Sequence, residues 1–337
     1  MLRHVPGTTD RRIDALLALL ADHPLSVISG EKIAREINVT RHTVWRWVQA
    51  LRELGVKVKG QPGEGYRIEQ VPDVLVPQLL RQRLAGTMFG KRIHHFFKVD
   101  STNSVAMRLG QDDEPHGSLV IAEEQTAGRG RVGRAWHSEK TSGIYASVLW
   151  RPNISPVHAP LLTLLAGLAA HDAVLEQTGL EPDIRWPNDL LLREKKFCGI
   201  LTEMHAEPDR VKYVVIGIGL NVNNAKMPGD LAESATSLRI ETGRAHSRME
   251  LLVRLLRQMD RYYHQYLSLG AQPLVARFSE ASSFAHGKRV RVATGAQSFT
   301  GTTAGLDSSG LLRVVRDDGQ GGLQGDAVIS GQVTEES

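Results

Sequence analysis

The chain has 337 residues, a net charge of +4, 41% hydrophobic and 23% charged residues, which excludes a disordered or fibrous chain and allows two or three folded domains. Its single cysteine, Cys198, excludes an intrachain disulfide and points to a reducing compartment. The longest apolar stretch, 161–175, is broken by His171 and Asp172 and reads as too short for a bilayer, and the first residues lack the apolar core of a secretory leader, so a cytoplasmic protein with no membrane partner is expected.

The positive charge is concentrated near the N-terminus, where residues 29–59 hold seven Lys/Arg against three Asp/Glu. Apolar spacing at Ile13, Leu16, Leu17 and Leu20 predicts a helix over 10–22. Ser29 can cap a second helix over 30–37, with Lys32 where a capping-box Glu would stand. After the turn at Asn38-Val39, Thr40 caps a third helix over 41–54, closed by Gly55. Val44, Trp47, Val48 and Leu51 share one face of it, and Arg41, His42, Trp45, Arg46, Gln49 and Arg52 fall largely elsewhere. Stretches 56–59 and 65–68 flank a Gly-rich turn and read as a hairpin carrying Lys57, Lys59 and Arg67. Three short helices and a hairpin make a winged helix-turn-helix over 1–70, whose third helix enters the major groove. Arg41, His42, Arg46, Gln49, Lys57 and Lys59 are the DNA-facing candidates. A winged helix used only for protein contacts is the alternative, and the basic face of helix three favours DNA.

Residues 71–78, rich in Val and Pro, read as a linker. From 79 to 284 strands and helices are interspersed. Strands are expected over 92–99, 118–123, 143–150, 183–186, 190–193, 196–204 and 212–222, and helices over 104–109, 156–178 and 247–268. The short connections between 183 and 222 predict antiparallel neighbours, hence an α/β (α+β) domain with a mixed sheet. From 285 to 337 short strands separated by Gly, Asp and Ser predict a small SH3-like β-barrel.

The chemistry concentrates in five segments of the middle domain. Gly128-Arg129-Gly130-Arg131-Val132-Gly133-Arg134, with Trp136 beyond, alternates glycine and arginine between two strands. Such a loop offers close backbone approach and forked cationic donors to carboxylate and phosphate oxygens; a flexible RNA-touching segment is the bland alternative. Asp100-Ser101-Thr102-Asn103 caps a helix or hydrogen-bonds a neutral polar ligand group. Gln125 offers both donor and acceptor at a strand end. Arg185-Trp186-Pro187-Asn188-Asp189 reads as an Asx-type turn, followed by Lys196, which either snorkels at a strand edge or serves as a point charge for an anion. Gly217 and Gly219 mark close approach within a strand, while Cys198 reads as a small core residue. No histidine spacing suggests a zinc site and no metal ligand is assigned.

In this order and spacing, Asp100-Ser-Thr-Asn103, Gly128-Arg-Gly-Arg-x-Gly-Arg134 with Trp136, Trp186-Pro-Asn-Asp189, Lys196-x-x-Gly199-Ile-Leu and Gly217-x-Gly-x-Asn221 resemble the biotin–protein ligases. The N-terminal segment resembles the bifunctional bacterial form that also represses the biotin operon. The resemblance implies that biotin and ATP form biotinyl-5′-adenylate, that biotin passes to a lysine of a biotin carboxyl carrier protein, and that Mg²⁺ accompanies ATP. It places Ser101, Thr102, Asn103, Gln125, Arg129, Gly130, Arg131, Lys196, Gly199 and Gly217 on the biotin side. Arg131, Arg134, Trp136, Asn188, Asp189 and Asn221 fall on the nucleotide side, with Lys196, Arg131 and Arg129 the catalytic candidates. It also implies operator DNA and a ligand-linked homodimer as partners. The alternatives are a ligand-sensing regulator without ligase activity and a lipoate or octanoyl ligase of related fold.

Overall fold

The computed structural model describes residues 11–23, 26–53, 56–61, 63–69, 73–294, 297–317, 326–328 and 332–335. The N-terminal unit contains α1 (Arg11–Asp22), α2 (Gly30–Glu36), α3 (Arg41–Glu53) and a hairpin of β1 (Val58–Gln61) and β2 (Gly65–Ile68). Lys32 N donates to Ser29 Oγ and Thr43 N to Thr40 Oγ1, each at 3.1 Å, so the two expected caps are formed; a cap of this kind contributes about 1 kcal/mol. Val44, Val48 and Leu51 are fully buried in one core with Leu16, Leu20 and Ile33. Gly65 is required where it stands: its φ is +140° and an added Cβ would lie 2.1 Å from Ile28 O. Lys57 precedes β1 instead of lying within it. Gly55, expected to close helix three, lies outside the described residues.

The segment 71–78, expected as a linker, is packed where it is described. Val74, Leu75 and Val76 are buried, and Pro77 opens α4 (Pro77–Arg83), a helix that the sequence reading missed. The proline that suggested a linker sits in the first turn, where its missing N–H costs nothing. A buried ion cluster ties this segment down. Arg248 Nη1 lies 2.8 Å from Glu123 Oε2, and its Nε lies 3.1 Å from Asp73 Oδ2. Leu75 N donates to Glu123 Oε1 at 2.8 Å, and His95 Nε2 lies 3.3 Å from the same oxygen. Burial alone would push the Glu123 carboxyl up; the Arg248 guanidinium, with His95 and the Leu75 N–H, outweighs it and holds the group down at about 2.

The middle unit is built on a seven-stranded sheet in the order β3-β4-β5-β9-β8-β7-β6. Its strands are β3 (Ile93–Phe96), β4 (Ser118–Ala122), β5 (Gly143–Trp150), β6 (Asp183–Arg185), β7 (Asp189–Leu192), β8 (Lys195–Ala206) and β9 (Val211–Asn221). β3 and β4 are parallel, and every other neighbouring pair is antiparallel. All residues of β5 are buried, because helices cover both faces of the sheet. On one face α5 (Thr102–Gln111) packs Val105 and Ala106 with Val120, Leu149 and Val215. The other core holds α6 (Ala159–Thr178), α7 (Leu238–Thr242), α8 (Arg248–Leu269) and α9 (Gln272–Glu280). Together with its preceding turn, α6 spans Pro156–Thr178 and is long and apolar enough to cross a membrane, which corrects the shorter reading of 161–175. It is buried beside the sheet, with α8 and α9 against it, and core packing accounts for its apolar surface.

The C-terminal unit is an antiparallel sheet of β10 (His286–Thr294), β11 (Gln297–Leu306), β12 (Leu312–Arg316), β13 (Asp326–Val328) and β14 (Gln332–Glu335), in the order β13-β12-β11-β10-β14. Its size matches the expected SH3-like unit. Among the described residues β13 and β14 form its two edges.

Candidate active site

A cavity of about 430 Å³ opens between the N-terminus of α5, the Gly-Arg loop, β7, β8 and β9. Every residue assigned to the small ligands lines it: Ser101, Thr102, Asn103, Gln125, Arg129, Gly130, Arg131, Arg134, Trp136, Asn188, Asp189, Lys196, Gly199, Gly217 and Asn221. Two cross-strand rows run beneath it, and Gly199, Leu201, Gly217 and Gly219 of these rows line its floor. In one row Gly217 stands opposite Ser147 and Leu201; in the other Gly219 stands opposite Tyr145 and Gly199. The glycines leave room for side chains from the facing wall. A Cβ on Gly217 would lie 2.0 Å from Asn103 Oδ1, and one on Gly219 would lie 2.4 Å from the Trp136 ring.

One end of the cavity is neutral and polar. Thr102 N donates to Gln125 Oε1 at 2.8 Å, and Gln125 Nε2 donates to Ser138 Oγ at 2.9 Å. Ser147 Oγ lies 2.8 Å from Thr102 Oγ1 and donates to Asn103 Oδ1 at 2.6 Å. Asn103 Nδ2 donates to Leu201 O at 3.1 Å and to Glu203 Oε2 at 2.8 Å. The amide orientations of Gln125 and Asn103 are therefore set by their neighbours, leaving a preorganised donor and acceptor surface.

The other end is cationic. The loop folds back on itself: Trp136 N donates to Gly128 O at 2.8 Å and Gly130 N to Arg134 O at 2.6 Å. At its tip Val132 adopts φ +53° and is 88% exposed, a strained conformation for a β-branched residue. Arg131 Nη1 donates to Asn188 Oδ1 at 2.9 Å, and Asn188 Nδ2 donates to Ile200 O at 2.9 Å. Lys196 Nζ lies 2.6 Å from Asp189 Oδ1 and 5.5 Å from the centre of the Trp136 ring. Asn188 and Asp189, which the sequence could not separate, thus hold different cations. Burial lowers the Arg131 pKa, opposed by the Asp189 charge. Arg129, grouped with Arg131 in the sequence, instead pairs through Nη2 with Glu203 Oε2 at 2.8 Å. Asn221 Nδ2 donates to Thr236 O at 3.0 Å and holds the wall formed by residues 231–236. Burial pushes the Cys198 thiol up to about 12, consistent with an inert core residue.

The Biotin/lipoate A/B protein ligase family matches residues 96–221, which enclose most of this cavity. An HTH domain family matches 11–67, and the Biotin protein ligase C terminal domain family matches 285–333. The bifunctional ligase/repressor BirA of Bacillus subtilis is 35% identical over 306 residues, covering 90% of this chain and 94% of that protein. The chain belongs to the biotin–protein ligase family. Its likeness to the bifunctional ligase/repressor BirA of Escherichia coli is 28% over 303 residues, 90% of this chain and 92% of that one. The solved biotin protein ligase from Aquifex aeolicus in complex with biotin and ATP matches with a TM-score of 0.61 at 27% identity, over 72% of this chain and 98% of that one.

Within this biotin–protein ligase, the winged helix exposes Arg41, His42, Arg46, Lys57 and Lys59, with Gln49 half-buried. Lys59 stands directly opposite Arg67 in the hairpin, so two cations sit side by side. Trp45 is 50% exposed and stacks on His42 at 5.9 Å between ring centres. Four features near the cavity escaped the sequence reading: Ser138, Ser147, Glu203 and the contact of the C-terminal unit. Trp186 Nε1 donates to Gly310 O at 3.0 Å, and Val333 lines the cavity. Glu203 was findable, because Gly199, Leu201 and Glu203 alternate onto one face of β8.

Proposed function

We propose that this chain couples biotin to ATP, forming biotinyl-5′-adenylate and pyrophosphate, and then transfers biotin to a lysine of a biotin carboxyl carrier protein. One observation carries the reading: a neutral hydrogen-bonding end and a cationic end share one cavity. The neutral end suits an uncharged cyclic urea, with Ser101, Thr102, Asn103 and Gln125 around it. At the cationic end Arg131 and Lys196 would receive the biotin carboxylate and the α-phosphate, two anions that repel unless neutralised. A carboxylate oxygen attacks the α-phosphorus, the bond to the β-phosphate oxygen breaks, and pyrophosphate leaves. The carrier amine then attacks the acyl carbon, AMP leaves, and the amine loses a proton. Trp136, over its glycine floor, offers an aromatic surface to the adenine, with Arg134 and Asn221 beside it. Mg²⁺ accompanying the triphosphate would shield its charge. Asp189 is a nearby carboxylate, and the described residues form no metal cage of three or more acidic, His or Cys groups.

Biotin-dependent exchange of labelled pyrophosphate into ATP tests the reaction, and its absence at saturating biotin would leave a sensor only. Transfer of labelled biotin, but not labelled lipoate, to a carrier domain tests the substrate. The second activity is repression of biotin synthesis genes in the cytoplasm, with the adenylate as corepressor and a ligand-linked homodimer reading a two-fold operator. Sedimentation with and without biotin and ATP checks the linkage; equal dimerisation constants would refute it.

A further inference from the structure

We propose that Glu203 is the positioning residue that fastens the Gly-Arg loop to the cavity floor and sets how long biotin stays beneath it. The proposal rests on the biotin ligase reading above. A single oxygen, Glu203 Oε2, accepts from Asn103 Nδ2 and from Arg129 Nη2, each at 2.8 Å. Its two partners differ in kind. Asn103 is 4% exposed and clamped: Ser147 Oγ donates to it at 2.6 Å, Leu201 O accepts from it at 3.1 Å, and only a glycine at 217 leaves it room. Arg129 is an arm on the loop, with its side chain 45% exposed and a glycine on either side. Glu203 therefore joins a rigid post to a segment with little packing of its own.

The charge matters as much as the geometry. Asn103 is neutral, so the Glu203 carboxylate is free to neutralise Arg129. Arg131 has a neutral hydrogen-bond partner, Asn188. Paired with Glu203, Arg129 offers an incoming anion little net charge, and the anion is drawn to Arg131 instead. In this arrangement Arg129 closes the loop and Arg131 meets the ligand's charge. The Glu203 side chain is 26% exposed, open enough for water to compete for the pair and for the loop to release.

Glu203→Gln keeps the shape and an acceptor oxygen but removes the charge; Glu203→Ala removes both. Biotin dissociation from the full-length protein, followed by a chase in stopped flow, is expected to quicken roughly tenfold in the first variant and further in the second. Association, KM for ATP and Tm are expected to stay near wild type. Dissociation is a per-molecule rate, so a smaller folded fraction does not imitate it. Unchanged dissociation in both variants overturns the proposal. So does a parallel rise in KM for biotin and for ATP with a lowered Tm, which marks general loosening. A wild-type protein that binds no biotin overturns the underlying ligase reading instead, before any variant is examined.

Discussion

Two clusters of charged side chains in the middle unit put the same chemistry in opposite surroundings. In the cluster of Asp73, Glu123 and Arg248 the guanidinium is fully buried and satisfied several times over: Arg248 reaches Asp73, Glu123 and Gly143 O. At the cavity wall the cations are half-open: Lys196 meets Asp189, Arg129 meets Glu203 and Arg131 meets Asn188. A charge that holds the fold is sealed among partners it cannot leave, because an unpaired buried ion is costly. On the function proposed above, the cavity cations would serve a ligand, and each keeps a solvent-facing side and a partner it can exchange.

The contrast predicts different losses. The largest effect on folding is expected from Arg248→Ala, which strands Glu123 in the core. Urea unfolding should show a loss of about 3–5 kcal/mol, and near-wild-type stability would break the comparison. Lys196→Ala should do the reverse, with adenylate formation falling roughly 10²–10³-fold in pyrophosphate exchange while unfolding shifts by less than about 1 kcal/mol. Normal exchange kinetics there would remove Lys196 from the reaction. Acid sharpens the same contrast. The Glu123 carboxyl titrates at about 2 when folded against an ordinary 4.5. Its stabilisation, roughly 3 kcal/mol, is therefore complete above pH 4.5 and lost as pH falls through 2. Asp73, pushed up by burial against the pull of Arg248, works in the opposite sense. The difference in unfolding free energy between wild type and Glu123→Gln isolates the effect and should shrink from pH 5 towards pH 2. A difference independent of pH would show that Glu123 is not charged in the fold. The smallest effect is expected from Arg46→Ala on the exposed face of α3. Operator binding should weaken by about 1–3 kcal/mol, or lose about one unit of salt slope, with ligation intact. Unchanged operator affinity would take Arg46 out of the interface.

Local chemistry made much of this legible in the sequence. Regular apolar spacing marked α3, and largely apolar runs marked β5 and β9. The ligand candidates stood out because alternating glycine and arginine suits neither helix nor strand packing. What stayed hidden depends on partners far away in the chain. Residues 73–76 look like linker until Arg248, some 175 residues on, is seen to bind Asp73. Gly217 and Gly219 were read as room for backbone or ligand, yet each also receives a side chain, from Asn103 and Trp136. Asn188 and Asp189 are adjacent in sequence, yet Asn188, just before β7, joins Arg131 of the loop to Ile200 O, whereas Asp189, which opens β7, meets Lys196.

The bond from Trp186 to Gly310, with Val333 nearby, has a consequence for the life of the polypeptide. Synthesis runs from the amino end, and earlier domains fold first. The helix-turn-helix and the seven-stranded sheet can therefore be in place on the ribosome while the wall beside Asn188 and Asp189 still awaits its final support. Only a finished translation product would present a complete pocket, so a prematurely terminated chain could reach DNA before it could handle a nucleotide.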